Sequence, residues 1–250
     1  MSVLHLLPVR TAGAPENMAL DFLLLQRYPD VTPRFRHYEW RSPAFTFGFG
    51  QKIEFVRATL PRDAHFDLCR RPTGGGMVDH RNDWTYALVL PRGHPLYDER
   101  ATRSYQIIHE CLAEALGSLG QPATVKTNCE PAESASASRI STERPCGKVA
   151  LPSGVCFQRS ELYDVVNPIT GAKIAGAAQK RNKHGLLFQG SIEKSSVGVL
   201  DWDEFFIRFT TALAKTLGTE AVETPWPELN EDEVSGLIEQ YSDPQWIEYR

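Results

Sequence analysis

Arg70-Arg71-Pro72-Thr73-Gly74-Gly75-Gly76-Met77-Val78-Asp79-His80 sets three glycines between a pair of arginines and the start of a predicted strand. Glycines in such a place let backbone N–H groups come close to a ligand, and neighbouring guanidinium groups favour one that is anionic or carbonyl-bearing. The stretch matches neither the GxxxxGK(S/T) phosphate loop nor the GxGxxG dinucleotide fingerprint. A glycine-rich hairpin or bulge is the equally simple alternative. His80 closes the run as an orienting group or, more simply, as a hydrogen-bonded structural histidine.

Around this stretch, strand signals fall at Phe45 to Phe49, Thr85 to Leu90, Leu162 to Val166, Lys173 to Ala178 and Leu186 to Ile192. Asn167-Pro168-Ile169-Thr170-Gly171 reads as a hairpin turn between the third and fourth of these. Helical spacing is clearest over Ser104 to Leu119 and over Asp201 to Leu217, where Phe206, Phe209, Leu213 and Leu217 line one face between an Asp201 cap and Gly218. Asn230 to Tyr241 repeats the capping pattern with Glu233, and Asn17 is placed to cap an apolar helix over Met18 to Arg27. Strands and helices mix without strict βαβ alternation, which predicts an α+β or mixed-sheet α/β class and not a doubly wound dinucleotide fold.

The chain has 250 residues, 42% hydrophobic and 23% charged, enough to bury a sizeable core, and one domain over 1–250 is expected. A formal net charge of −4 provides no overall basic field for nucleic acid or an anionic membrane. No stretch reaches the roughly 18 apolar residues of a membrane span, and Met1 to Arg10 is too short for a signal-peptide core, so a cytoplasmic location is expected. The five cysteines, Cys69, Cys111, Cys129, Cys146 and Cys156, lack CxxC or His-paired spacing, which predicts thiols and no metal site.

Two further segments could carry chemistry. Gly171-Ala172-Lys173-Ile174-Ala175-Gly176-Ala177-Ala178-Gln179 sets one lysine in a small, apolar strand with room for a slender ligand. A partly desolvated ammonium can bind a carbonyl or phosphate, or lower the pKa of a nearby thiol. The blander alternative is an edge-strand lysine that discourages aggregation. Cys156, in Ser153-Gly154-Val155-Cys156-Phe157, follows a long polar run from Thr127 to Gly154 that predicts a functional lid or a disordered insert.

Taken together, these segments resemble the lipoate-protein ligase and octanoyltransferase superfamily. Arg70 to His80 resembles its RRxTGGGxVxH motif, and Lys173 to Arg181 (KIAGAAQKR) with Leu186 to Ile192 (LLFQGSI) resembles its KxxGxAQxR and QGSI elements. The likeness runs from Asn17-Met18-Ala19-Leu20-Asp21 through Phe47-Gly48-Phe49-Gly50-Gln51 to Tyr241-Ser242-Asp243-Pro244-Gln245-Trp246. It implies the biotin/lipoate ligase catalytic fold, a central mixed sheet flanked by helices.

The superfamily divides by chemistry. Cys156-Phe157 resembles the CF element of single-domain, cysteine-dependent octanoyltransferases, which take an octanoyl thioester from acyl carrier protein and need no cofactor. The implied route is attack by Cys156 on the thioester, then by a lysine of a lipoyl domain of a 2-oxoacid dehydrogenase or of glycine-cleavage H protein on the acyl-enzyme. Lys173 would hold the thiolate and the acyl carbonyl. Arg71, Thr73, Gly74, Gly75, Gly76, Val78, His80, Ala175, Gly176, Gln179 and Gly190 would shape the substrate site.

Two alternatives remain: a ligase using ATP and Mg2+ on free lipoate, and a noncatalytic module binding a lipoyl domain or an acyl chain. Cys146 puts a second thiol near Cys156. If the 162–166 and 173–178 segments form a hairpin, Lys173 pairs near Val165, nine residues from Cys156. That is about 30 Å of extended chain, so residues 155–160 would have to fold back for the two side chains to meet.

Overall fold

The computed structural model describes residues 2–27, 32–62, 65–128 and 160–249. In chain order the elements are β1 (Val3–Ala12), α1 (Ala14–Arg27), β2 (Arg34–Trp40), β3 (Ala44–Phe47), α2 (Ile53–Thr59), β4 (Asp67–Arg70), β5 (Val78–Asp79) and β6 (Asp83–Pro91). There follow α3 (Pro95–Asp98), α4 (Ala101–Ser118), β7 (Thr124–Val125), β8 (Val165–Val166), β9 (Lys173–Asn182), β10 (Gly185–Glu193), α5 (Trp202–Leu217), β11 (Glu220–Glu223), α6 (Glu231–Ser242) and α7 (Pro244–Ile247).

Eight strands form one sheet in the order β11-β1-β2-β6-β10-β9-β8-β7. The first three are mutually parallel and each later neighbour is antiparallel, so the sheet is mixed, as expected. A second sheet, β4-β3-β5, lies apart from it.

On one face of the large sheet, Phe35, Trp84, Tyr86, Leu88, Leu186 and Phe188 pack with Ile108, Leu112 and Leu116 of α4 and Phe205, Phe209 and Leu213 of α5. On the other, Leu7, Tyr38, Val89 and Leu187 meet Leu24 and Leu25 of α1. Alternation along each strand explains the division, since residues 84, 86 and 88 face α4 and α5 while 87 and 89 face α1.

Local punctuation set the helices where the sequence predicts them. Asp201 accepts from the N–H groups of Asp203 (3.0 Å) and Glu204 (3.1 Å), and Gly218 ends α5 in the left-handed region at φ 66°. Asn230 caps α6 in the same way, through Asp232 and Glu233. The buried stripe of α5 is centred on Phe205, Phe209, Ala212 and Leu213, with Phe206 and Leu217 at its margin.

Three expectations are corrected. Helix α1 begins at Ala14, and Asn17 is a buried interior residue, not its cap: its amide donates to the carbonyls of Ala12 (3.3 Å) and Glu39 (3.1 Å) and accepts from Arg36 (2.5 Å). The strand expected over Phe45 to Phe49 stops at Phe47, because Gly48 lies against the glycine loop; a Cβ there would stand 2.1 Å from the Gly75 carbonyl. The strand expected from Leu162 is confined to Val165–Val166, because Tyr163 adopts φ 69° and breaks the extended run.

Candidate active site

A pocket of about 400 Å³, its open mouth included, lies on the α1 side of the large sheet. Its floor runs across the strands, from Tyr38 on β2 through Thr85 on β6 and Gln189 and Ser191 on β10 to Gly176 and Ala178 on β9. Three interstrand spacings make that about 14 Å. Met18 of α1 and residues Thr46, Arg71, Gly75, Gly76, Val78 and His80 of the second sheet and its loop complete the walls.

Both arginines of the opening stretch are committed to the chain's own carbonyls. Arg70 is fully buried and donates to the carbonyls of Phe49 (2.9 Å), Gln51 (2.8 Å) and Ile247 (2.7 Å), tying the loop to the C-terminal segment. Arg71 donates to the carbonyls of Gly74 and Gly76 (2.8 Å each) and to Thr46 Oγ1 (2.9 Å), which fixes the loop's curvature.

A buried chain continues from there. Thr46 Oγ1 is 2.7 Å from His80 Nε2, and His80 Nδ1 is 2.7 Å from Asp83 Oδ2, which also accepts from Ser191 (2.5 Å) and Thr85 (2.8 Å). Burial pushes the Asp83 carboxyl up, but His80 and the two hydroxyls outweigh it and hold it below the usual carboxylate range. The His80 ring stacks on Trp40 at 4.0 Å.

A second chain runs beside the first. Thr73 donates to Gln189 Oε1 (2.7 Å), and Gln189 Nε2 donates to Asp21 (2.7 Å) and rests 3.3 Å from the Met18 sulfur. Asp21 also accepts from Tyr38 (3.2 Å) and lies 3.4 Å from Arg36; burial is the main reason its carboxyl sits above the usual range. Because the polar groups along the pocket bond to one another, they turn methylene and ring surface to its interior, and the space suits a slender apolar chain.

At the β9 end, Lys173 Nζ stands 2.7 Å from Asp164 Oδ2. The lysine is buried and lies on a strand with β10 on one side and β8 on the other, so it is not at a bare edge. Its side chain crosses over Gly176, where a Cβ would be 2.7 Å from both Cε and Nζ. Sequence reasoning missed Asp164. Its position follows from the left-handed Tyr163, whose carbonyl accepts from His109 Nδ1 (2.5 Å) and which turns the aspartate inward.

Gly75, Gly76, Val78, His80, Arg71 and Gly176 thus meet around one pocket, with Lys173 beside it. Thr73 supports it through Gln189, and Gly74 through its carbonyl. Ala175 and Gln179 fall on the opposite face, the first in the core and the second bonded to Ala101 and Ser104 of α4, because from Ala175 onward the odd positions point away from Gly176 and Ala178, whereas the register shift between Lys173 and Ala175 in the β8 pairing leaves Lys173 on the pocket side. Gly190 lends the pocket its backbone, but its missing side chain serves the other face: a Cβ would collide with the Tyr86 ring at 2.2 Å.

Cys156 lies outside the described residues, as do Cys129, Cys146 and the 129–154 part of the expected loop. Cys69 and Cys111 are buried, which pushes both thiols up and leaves them poor nucleophiles. Among the described residues no cluster of side chains could hold a metal ion, and no helix is long and apolar enough to cross a membrane.

Residues 14–197 match the family model described as the lipoyl protein ligase A/B catalytic domain. Octanoyltransferase LipM of Bacillus cereus is 32% identical over 196 residues, which cover 77% of this chain and 64% of that protein. Octanoyltransferase LipM of Macrococcus caseolyticus is 33% identical over 196 residues, 77% of this chain and 65% of its own. The match therefore spans a little under two thirds of these relatives' length. In structure, the chain is similar over its full length to protein Ta0514 of T. acidophilum with bound lipoic acid, at TM-score 0.71 and 18% identity, covering 100% of both chains. That likeness concerns the fold, a mixed sheet flanked by helices.

Proposed function

We propose, from the premise that the chain belongs to the lipoyl protein ligase A/B catalytic-domain family, that it transfers an octanoyl group from a carrier thioester to a lysine of a lipoyl domain. The observation that carries the proposal is the narrow pocket of methylene and glycine surface with a buried ammonium, Lys173, at its β9 end. Its length of about 14 Å accommodates an extended eight-carbon chain of about 9 Å at carbon–carbon bond lengths near 1.5 Å. Kinship with octanoyltransferases at 32–33% identity favours transfer over ligation.

In this reading the acyl tail lies across the sheet under Gly75, Gly76 and Val78, with its methyl end toward Tyr38 and its carbonyl at Gly176. The Cys156 thiolate attacks the thioester carbonyl, the carbon–sulfur bond to the carrier breaks, and the carrier thiolate leaves to take up a proton. The acceptor's neutral lysine amine then attacks the acyl-enzyme, an amide forms, and the Cys156 thiolate is restored as the amine's proton is released. Lys173, held by Asp164, supplies positive charge for the thiolate and for the oxygen of each tetrahedral intermediate, a contribution of about 3 kcal/mol where single donors have been removed from other enzymes. Arg71 shapes the loop and does not bind the substrate's charge. No ATP, Mg2+ or other cofactor enters these steps.

The test is modification of a purified lipoyl domain. With octanoyl-acyl carrier protein and no nucleotide, the domain gains one octanoyl amide; modification that requires ATP and free octanoate or lipoate would assign the chain to the ligase reaction, and binding without modification by either route to the noncatalytic alternative.

A further inference from the structure

His109, on α4, is a buried titratable group that the proposed reaction does not use. Its ring packs edge to face against Phe188 of β10, centroids 5.8 Å apart, and lies 6.2 Å from the Tyr105 ring on its own helix. Phe188 faces α4, so the histidine stands across the sheet from the pocket, yet the charges of Asp164 and Lys173 reach it.

The contacts of the ring fix its protonation. A carbonyl oxygen only accepts, so the 2.5 Å contact between His109 Nδ1 and the Tyr163 carbonyl places the ring proton on Nδ1. Nε2 is buried and has no hydrogen-bond partner among the described residues. A proton there would bury an unpaired N–H and set a second cation near Lys173. Burial is the main reason the imidazole titrates below the usual histidine range; Asp164 and the Tyr163 carbonyl oppose the shift and Lys173 adds to it. The ring is therefore neutral and held in one tautomer.

That single bond acts on one peptide plane. Tyr163 stands at φ 69°, a region in which a bulky residue needs outside restraint. Its N–H donates to the Lys126 carbonyl (2.8 Å), and its own carbonyl accepts from His109. The Tyr163 carbonyl and the Asp164 N–H share a planar group, so fixing the oxygen fixes the direction in which Asp164 leaves the chain. Asp164 Oδ2 then accepts from the Glu161 N–H (2.6 Å) and holds Lys173 Nζ at 2.7 Å, over Gly176. Without the histidine the plane can turn, and carboxylate and ammonium lose their fixed place together.

We infer that His109 is a positioning residue for the transfer reaction: its Nδ1–H, through the Tyr163 carbonyl, sets Asp164 and hence the charge of Lys173 at the acyl carbonyl. The kinetic consequence rests on the octanoyl-transfer reading; the placement rests on geometry alone. His109 lines no part of the pocket, so the effect falls on kcat and not on KM.

Two substitutions separate positioning from packing. His109→Phe keeps a ring and removes the donor, whereas His109→Asn sets an amide nitrogen where Nδ1 stands. With octanoyl-acyl carrier protein and a lipoyl domain, His109→Phe is expected to lower kcat at least fivefold with KM within twofold of the parent, and His109→Asn to keep at least half of the parent's kcat. Adding His109→Phe to Asp164→Ala should cost less than a further twofold, because both changes break the same linkage. Unchanged kcat in His109→Phe, a loss carried by KM, an Asn variant as slow as the Phe variant, or a full further loss in the Asp164→Ala background would each overturn the inference. Heteronuclear NMR needs no turnover: the parent is expected to show His109 protonated on Nδ1 alone at neutral pH, and the Lys173 ammonium signal to shift in His109→Phe and return toward its parent position in His109→Asn. Another tautomer, or a Lys173 signal indifferent to His109→Phe, would reject the placement. A parent that meets both spectral expectations but transfers nothing would instead reject the reaction.

Discussion

Lys173 and Asp164 form a buried ion pair, Nζ to Oδ2 2.7 Å, with side chains 4% and 9% exposed, over the bare backbone of Gly176. Removing one partner of such a buried pair costs about 3–5 kcal/mol. Asp164→Ala should therefore lower the melting temperature by several degrees and reduce transfer at least tenfold. Lys173→Met in the same background should recover stability without recovering activity. Thermal melts beside initial rates check both, and full activity in Asp164→Ala would remove the aspartate from the account.

Two glycines separate catalysis from stability. Gly176→Ala pushes on Lys173 Cε and Nζ, 2.7 Å from the new methyl, and these belong to the end of a long side chain that can shift. Transfer should fall tenfold or more with little change in melting temperature. Gly190→Ala drives a methyl into the Tyr86 ring at 2.2 Å, where nothing can yield cheaply. It should cost about 1–3 kcal/mol, while the fraction still folded keeps its rate.

The Asp83 carboxyl is held below the usual carboxylate range by His80, Ser191 and Thr85. A depressed folded pKa adds stability above the unfolded value and loses it as pH falls through the folded one. Asp83→Asn should be less stable than the parent at pH 6, and the gap should close progressively below about pH 4, the ordinary carboxylate value. Urea midpoints across that range measure it; a gap independent of pH would contradict the assignment.

Tyr38 lines the β2 end of the pocket, with Arg36 4.0 Å over its ring and its hydroxyl donating to Asp21. Tyr38→Leu should shift preference from octanoyl toward decanoyl and longer donors, whereas Tyr38→Phe, which keeps the ring, should retain octanoyl. Competition between acyl donors of different length decides the point.

Much of the frame was legible because its signals are local. Asp201, Gly218 and Asn230 act on the residues beside them, and the hairpin at Asn167 to Gly171 forms through its own Asn167 side chain, which accepts from Ile169 (2.9 Å) and Thr170 (3.1 Å). Strand β2 gave no such signal: Arg-Phe-Arg-His-Tyr reads as a charged segment, yet Arg34 and Arg36 are buried, and Arg36 finds its countercharge on α1. The same limit hid Asp164, whose partner lies across a hairpin and whose placement depends on one left-handed residue, Tyr163. The glycine triplet was legible as a loop, but the use of both arginines to tie down their own chain could be read only from where the carbonyls lie.

The central claim is a covalent relay through Cys156. Purified protein is incubated with octanoyl-acyl carrier protein without ATP, and the intact chain is weighed beside a Cys156→Ala variant. The account predicts one octanoyl increment in the parent and none in the variant. An increment that persists in Cys156→Ala, or a parent that modifies a lipoyl domain without ever carrying the increment, would contradict it.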